Sequence, residues 1–254
     1  AEDGPAIKAD GNVSDSGTIC VSDDIRLLNL DDGTYFTKTD VQNWTDVLSG
    51  QTVSVFCEKI NEPNAPVPYL AYDTEAGCFS EEECAYGDFR FFFKNMTELT
   101  TGTYIVCGIP MTVDMIDING DVSLILIDGC DLTVNGGVKV NVGNSLTIYA
   151  QSLGSFAGKL TTKGVYDYDR KALYYAGIGG GQDVAGGTVT INGGTVTAHG
   201  GDFGAGIGGG RGKSNGIVTI NGGTVTAIGG DQGAGIGGGF RLPDEAISNG
   251  IVTI

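Results

Sequence analysis

A 29-residue repeat constrains this chain more than any other feature. The segment AGIGGG occurs at Ala176–Gly181, Ala205–Gly210 and Ala234–Gly239, each copy 29 residues after the last. VTINGGTVTA occurs at Val189–Ala198 and Val218–Ala227 in the same register. A third copy opens at Val252, delayed by five residues inserted around FRLPDEAIS. Independent blocks repeating in one register are the signature of a solenoid, in which each repeat buries its apolar face only against its neighbours.

Each block reads as a short strand. In Thr188–Ile191 and Thr195–Ala198, threonine alternates with valine, isoleucine or alanine. A period of two puts the apolar residues on one face and the threonines on the other. The NGG and HGGD stretches between them are turn chemistry, because glycine accepts positive φ without strain. High glycine density and β-branched side chains both oppose helix. Simple hairpins about NGG would be the rival arrangement, but they leave AGIGGG and the 29-residue period unexplained. Three short strands and three turns per repeat account for both. The expected fold is all-β: a three-sided, right-handed parallel β-helix with a β-rich N-terminal cap or small domain. Equivalent residues then stack about 4.8 Å apart. Ile191 falls on Ile220, Val196 on Val225, and Asn192 on Asn221 as a ladder of turn amides.

Upstream the pattern is looser. Strands are expected at Thr103–Val106, Val122–Ile127, Leu132–Val134, Val138–Val140, Leu146–Ala150 and Lys159–Thr162. Matching SLILIDG to SLTIYAQ sets Ser123 against Ser145, a coil of 22 residues. Charge and glycine divide the chain. Residues 1–100 hold 19 acids and 6 bases, whereas 27 of the 44 glycines lie in residues 171–254. This places a boundary near residues 95–103, with an acidic β-rich region over 1–100 and the β-helix over 101–254. Within the first region, Ile25–Leu30 and Thr52–Phe56 read as strands and Val41–Leu48 as one or two helical turns.

The net charge of −17, from 31 acidic and 14 basic residues, argues against nucleic acid or anionic lipid as partner. No run of 18 apolar residues exists to insert into a membrane. The six cysteines, Cys20, Cys57, Cys78, Cys84, Cys107 and Cys130, fit an oxidising compartment. Cys78 and Cys84, read in one loop, are the nearest candidates for a disulfide. Cys107 and Cys130 are 23 residues apart, about one coil, and either stack as thiols or bridge two rungs. The start at AEDGP has neither a basic nor an apolar leader segment, as in a mature chain whose signal peptide has gone.

The run GTYIVCGIPMTVDMIDINGDVSLILIDGCDLTVNGGVKVNVGNSLTIYAQS, followed by GKLTTKG and the AGIGGG and NGGTVTA repeats, resembles a group of secreted gut-bacterial surface proteins. These are described as carbohydrate-binding-domain or adhesin-like β-helix proteins. The resemblance covers roughly residues 68–254, with GDVSLILIDGC and GNSLTIYAQS its most specific blocks. It implies secretion, a parallel β-helix and attachment at a cell surface, with a glycan or host surface ligand as partner. It carries no set of binding residues.

Binding residues are therefore sought in the sequence itself. Aromatic rings suit sugars, and VYDYDRKALYY supplies Tyr166, Tyr168, Tyr174 and Tyr175 where the coil pattern is interrupted. The alternative is a loop packed over the solenoid flank. Phe203 and Phe240 sit at two later turns. Asp202 and Asp231 occupy equivalent places in successive coils; stacked carboxylates repel unless solvated or bridged by a cation. No cofactor is expected: calcium is the candidate for such a pair, but GGDxGAGIGGG does not match the RTX nonapeptide, and turn capping by aspartate is the preferred reading. DMIDINGD (Asp114, Asp117, Asn119, Asp121) matches a calcium loop only loosely.

Parallel β-helices include polysaccharide lyases and glycoside hydrolases, whose sites need clustered carboxylates with a histidine or basic residue. Here the single histidine, His199, gives way to Ile228 one coil on. The expected function is a non-catalytic adhesin or carbohydrate-binding module. A polysaccharide-active enzyme and a passive stalk are the alternatives. The Thr-Val-Thr rows also resemble threonine arrays that bind ice, although only two full coils carry them and Ile217 replaces the Thr188 equivalent. Finally, Ile254 ends inside a strand whose counterparts continue. More coils, a cap or an attachment region are expected to follow, unless a second molecule covers the end by end-to-end association.

Overall fold

The computed structural model describes residues 27–29, 35–36, 53–55, 66–85, 87–107, 110–164, 174–240 and 250–254. The chain divides into two compact units, Ala1–Ala65 and Pro66–Ile254. In the first, β1 (Leu27–Asn29), β2 (Tyr35–Phe36) and β3 (Val53–Val55) form an antiparallel sheet in the order β2-β1-β3. The strands expected at Ile25–Leu30 and Thr52–Phe56 contain β1 and β3; Val41–Leu48 lies outside the described residues.

The second unit opens with a hairpin, β4 (Val67–Asp73) and β5 (Cys78–Cys84). Its turn is organised by Asp73, whose Oδ1 accepts from the amides of Glu75 and Ala76 at 2.8 and 3.0 Å. Gly77 closes it with φ +66° and an N–H donated to the Asp73 carbonyl. The remaining strands wind as a parallel β-helix with three faces. One face stacks β6 (Phe89–Phe91), the second half of β7 (Glu98–Val106), the second half of β9 (Ile116–Leu126), β12 (Ser145–Ala150), β15 (Thr188–Ile191), β18 (Ile217–Ile220) and β21 (Ile251–Thr253). A second stacks the first halves of β7 and β9, then β11 (Val138–Lys139), β14 (Ile178–Gly179), β17 (Ile207–Gly208) and β20 (Ile236–Gly237). The third is a separate five-stranded sheet of β8 (Met111–Val113), β10 (Asp131–Asn135), β13 (Lys159–Lys163), β16 (Thr195–His199) and β19 (Thr224–Ile228). Parallel pairing thus begins at Phe89, and the boundary expected near 95–103 falls inside or beside β7.

Period-two alternation fills the core. Leu146, Val189 and Val218 stack on one rung position and Ile148, Ile191 and Ile220 on another. Leu132, Leu160, Val196 and Val225 do the same on the third face. Ile191 does pair with Ile220 and Val196 with Val225, as the 29-residue register requires. Upstream the register differs from the letter match. Ser145 pairs with Asp121, 24 residues away, and Ser123 with Thr147. Facing does not separate the two registers, because a slip by two residues keeps the same residues inward.

At the corner between the first and third faces, Asn221 Nδ2 donates to Asn192 Oδ1 at 2.7 Å, forming the expected amide ladder. The AGIGGG segments pack backbone on backbone. Gly179, Gly208 and Gly237 have φ of +137°, +133° and +145°, and a Cβ at Gly208 would collide with the Gly237 carbonyl of the next coil.

The expected pairing of Cys78 with Cys84 does not form. CFSEEEC is a strand rather than a loop, so its ends lie roughly 20 Å apart, beyond the ~7 Å Cα reach of a disulfide. Cys107 and Cys130 are buried thiols, and no disulfide joins the described cysteines. The coil equivalent of Cys107 is Ile127, whose N–H donates to the Val106 carbonyl; Cys130 lies past the following turn. Burial pushes the Cys130 thiol up to about 12, so its nucleophilic thiolate is suppressed.

Two outcomes follow. Native protein treated with iodoacetamide and digested should carry the label at Cys78 and not at Cys130, read by peptide mass spectrometry. Thr162 occupies an inward position with 0% exposure, and its hydroxyl has no hydrogen-bond partner. Thr162→Val should raise stability by about 1 kcal/mol, because it removes a buried unsatisfied hydroxyl without changing shape; denaturant unfolding measures it.

Candidate functional site

Tyr166 and Tyr168 lie outside the described residues. Tyr174 begins an axial stack at one corner of the coils: its ring lies 5.6 Å from Phe203, and Phe203 lies 5.1 Å from Phe240. The Arg211 guanidinium sits 4.8 Å from the Tyr174 ring centre and 6.0 Å from that of Phe203. Backbone bonds repeat with the stack, Arg211 N–H to the Tyr174 carbonyl and Phe240 N–H to the Phe203 carbonyl. Tyr174 is therefore engaged by neighbouring coils. Tyr175 is half-buried, and its carbonyl accepts from Gly201.

Asp202 is half-buried and Asp231 exposed. Asp202 takes part in its turn through its carbonyl, which accepts from Gly204 at 2.6 Å. The acidic run of 114–121 is drawn into contacts between coils: Asn119 Nδ2 donates to Glu98 at 3.0 Å, Lys139 Nζ lies 2.5 Å from Asp117, and Ser145 Oγ donates to Asp121 at 2.6 Å. Among the described residues, no group of three or more His, Cys, Asp or Glu side chains comes together to hold a metal ion. His199 stacks in register between Lys163 and Ile228 on the outer side of the third face.

The arrangement that composition and motif did not reveal is a cleft at the corner between the first and third faces. Two coils turn this corner in three residues, Asn192–Gly194 and Asn221–Gly223. The coil before them uses residues 151–158 instead. This longer connection leans over the two tight turns and encloses about 180 Å³ between Leu153, Gly154, Ala157, Gly194, Gly223 and Thr224. Leu153 is 57% exposed and Phe156 77% exposed. Large apolar side chains held in water beside a concavity are a departure from simple burial. The floor must be glycine. Gly194 and Gly223 have φ of +85° and +88°, and a Cβ at Gly223 would meet the Gly194 carbonyl at 2.5 Å. The hairpin reaches the same corner: Phe79 abuts Gly222, and Tyr72 packs edge-on against Phe79 at 5.2 Å.

Thr224 joins the cleft to the outer side of the third face. There a threonine column runs through five strands: Thr112, Thr133, Thr161, Thr197 and Thr226 pair in register. Beside it run Asp131, Lys159, Thr195 and Thr224 on one flank, and Asn135, Lys163, His199 and Ile228 on the other. The column is deeper than the two coils expected from the repeats. It was legible in the frame shared by DLTV, KLTT and TVTA, whose central threonines align once the strands are matched by facing. Asp131 and Lys159 interrupt the neighbouring column, so paired threonine columns extend over β16 and β19 alone.

Stability and exposure separate at the cleft. Gly223→Ala should destabilise the protein by about 1–2 kcal/mol or more, since a left-handed backbone position disfavours a side chain and the neighbouring carbonyl must move. Phe156→Ala, at an exposed site, should stay within about 0.5 kcal/mol of the parent. Thermal melts of the two variants test this pair of outcomes.

Comparison with known proteins supports the architecture. A family model described as a beta helix repeat matches residues 189–211 and 218–240. No curated protein and no solved structure matches the chain. No helix among the described residues is long and apolar enough to cross a membrane. The repeat matches and the in-register parallel sheets together make this a β-helix protein.

Proposed function

We propose that this chain is a non-catalytic carbohydrate-binding β-helix, exported to a cell surface, where it acts as an adhesin toward a glycan or host surface ligand. The corner cleft is the observation that carries the reading. Sugar rings combine an apolar C–H face with a rim of hydroxyls. The cleft offers both complements: Leu153 and Ala157 as its apolar lining, with the exposed Phe156 on the same connection, and the Thr224 hydroxyl with the backbone groups of the glycine turns as hydrogen-bonding partners. A glycine floor lets the ligand approach the backbone closely. At about 180 Å³ the space suits one ring rather than a whole oligosaccharide, and it lies below the ~300–1,000 Å³ of drug-sized pockets. The threonine column beyond it supplies a polar track on which neighbouring units of a longer glycan can rest. Export and surface display rest on the likeness of residues 68–254 to secreted surface proteins.

The cleft is favoured over the tyrosine segment because the Tyr174 ring is already engaged by Phe203 and Arg211. A glycan array probed with the full chain tests both. Binding should appear in the parent, fall at least about ten-fold in Leu153→Ala/Phe156→Ala, and persist in Tyr174→Ala/Tyr175→Ala. Loss confined to the tyrosine variant would move the site to that segment. An array with no bound glycan would overturn the reading. Incubated polysaccharides should keep their chain length; release of reducing ends or unsaturated products would identify an enzyme instead.

A further inference from the structure

We infer that the outer side of the third face selects an acidic polysaccharide, one bearing carboxylate or sulfate groups, and that Lys159 and Lys163 make the selection. This rests on the glycan-binding reading above and adds the charge class of the ligand.

The register places the charges. Lys159 and Lys163 are the two ends of β13, both exposed, and both point to the same side as Thr161 between them. They stand about 13 Å apart along the strand. His199 follows Lys163 one coil on. The outward positions of β13, β16 and β19 are Lys159, Thr161 and Lys163, then Thr195, Thr197 and His199, then Thr224, Thr226 and Ile228. None of the nine is acidic. Among the described strand residues, the carboxylate paired in register with this patch is Asp131, beside Lys159; Lys163 has Asn135 and His199 as its axial neighbours. Such a surface is unusual in a chain with 31 acidic residues against 14 basic ones.

The patch continues the cleft. Thr224 lines the cleft, and Thr195 and Lys159 follow it in register on the same flank. Two rungs span about 10 Å, so a glycan with one ring in the cleft and its chain laid along the axis reaches the lysines within a few sugar units. The threonine hydroxyls donate to and accept from sugar hydroxyls along the way. The ammonium groups answer acidic substituents, which a neutral glycan lacks.

The net charge of −17 does not cancel this local field. At physiological ionic strength exposed charges act over about 8 Å, so a ligand lying on the face responds first to the groups beneath it. Electrostatic complementarity of this kind sets specificity and association rate more than raw affinity.

Paired probes isolate charge from backbone: polygalacturonate against its fully methyl-esterified form, alginate against its esterified form, and heparin against its desulfated, carboxyl-reduced form. Affinity gel electrophoresis and calorimetry with the full chain should show at least one acidic polymer bound about ten-fold more tightly than its masked partner at physiological ionic strength, with the preference shrinking as salt is raised further. In Lys159→Gln/Lys163→Gln the ratio within that pair should fall to near one while the melting temperature stays unchanged. Equal affinity within every pair, or a preference that survives the double substitution, overturns the inference and leaves the glycan-binding reading standing. A chain that binds none of these polymers and no glycan on the array overturns both.

Discussion

Everything in the second unit depends on backbone hydrogen bonding between one coil and the next. The strand ladders run parallel from Phe89 to Thr253, with one register shift between Thr100 and Gly102, so each paired strand residue has its counterpart about 4.8 Å above or below it. A core of small cross-section becomes sufficient under this rule. Val189 and Ile191 are shielded by the rungs on either side, and no other layer needs to cover them. The same rule makes the outer surface repetitive, which turns a single outward threonine into a column. It also fixes where the fold tolerates change. Strands must match rung by rung, whereas corners need only bring the chain back into register.

The corners show that freedom. Hydrogen-bonded neighbours on successive coils are separated by 24 residues at Asp121–Ser145, 29 at Asn192–Asn221 and 40 at Asn141–Gly181, while the flanking strands stay paired. One corner carries the amide ladder in two coils and the cleft-forming connection of 151–158 in another. Structure and recognition therefore share a corner, at different levels along the axis.

How much was legible in the sequence follows from this division. The strictly repeated coils were read correctly down to individual pairs, because three blocks had to agree at once. Strands upstream were located but misaligned by two residues at Ser123 and Ser145, since a shift of two preserves inward facing and the letters alone cannot expose it. CFSEEEC was misread for a different reason. Three consecutive glutamates suggest a loop by propensity, but the Asp73–Gly77 turn and the Tyr72–Phe79 contact make it the second strand of a hairpin. The cleft was invisible because it arises between residues 153–157 and turn glycines 37 or more positions later. The threonine column is plain in the repeats, whereas in DLTV and KLTT before them it emerges only once the strands are matched by facing.

The direction of the ladders also sets how the protein carries force. Hydrogen bonds between coils point broadly along the solenoid axis, slanted across the parallel strands. Tension along the axis therefore loads one rung after another, and coils peel away in sequence. Tension across the axis pulls along the strands and loads many bonds of a face together in shear. A β-helix gripped on its third face and tugged sideways would thus resist more strongly than one stretched end to end.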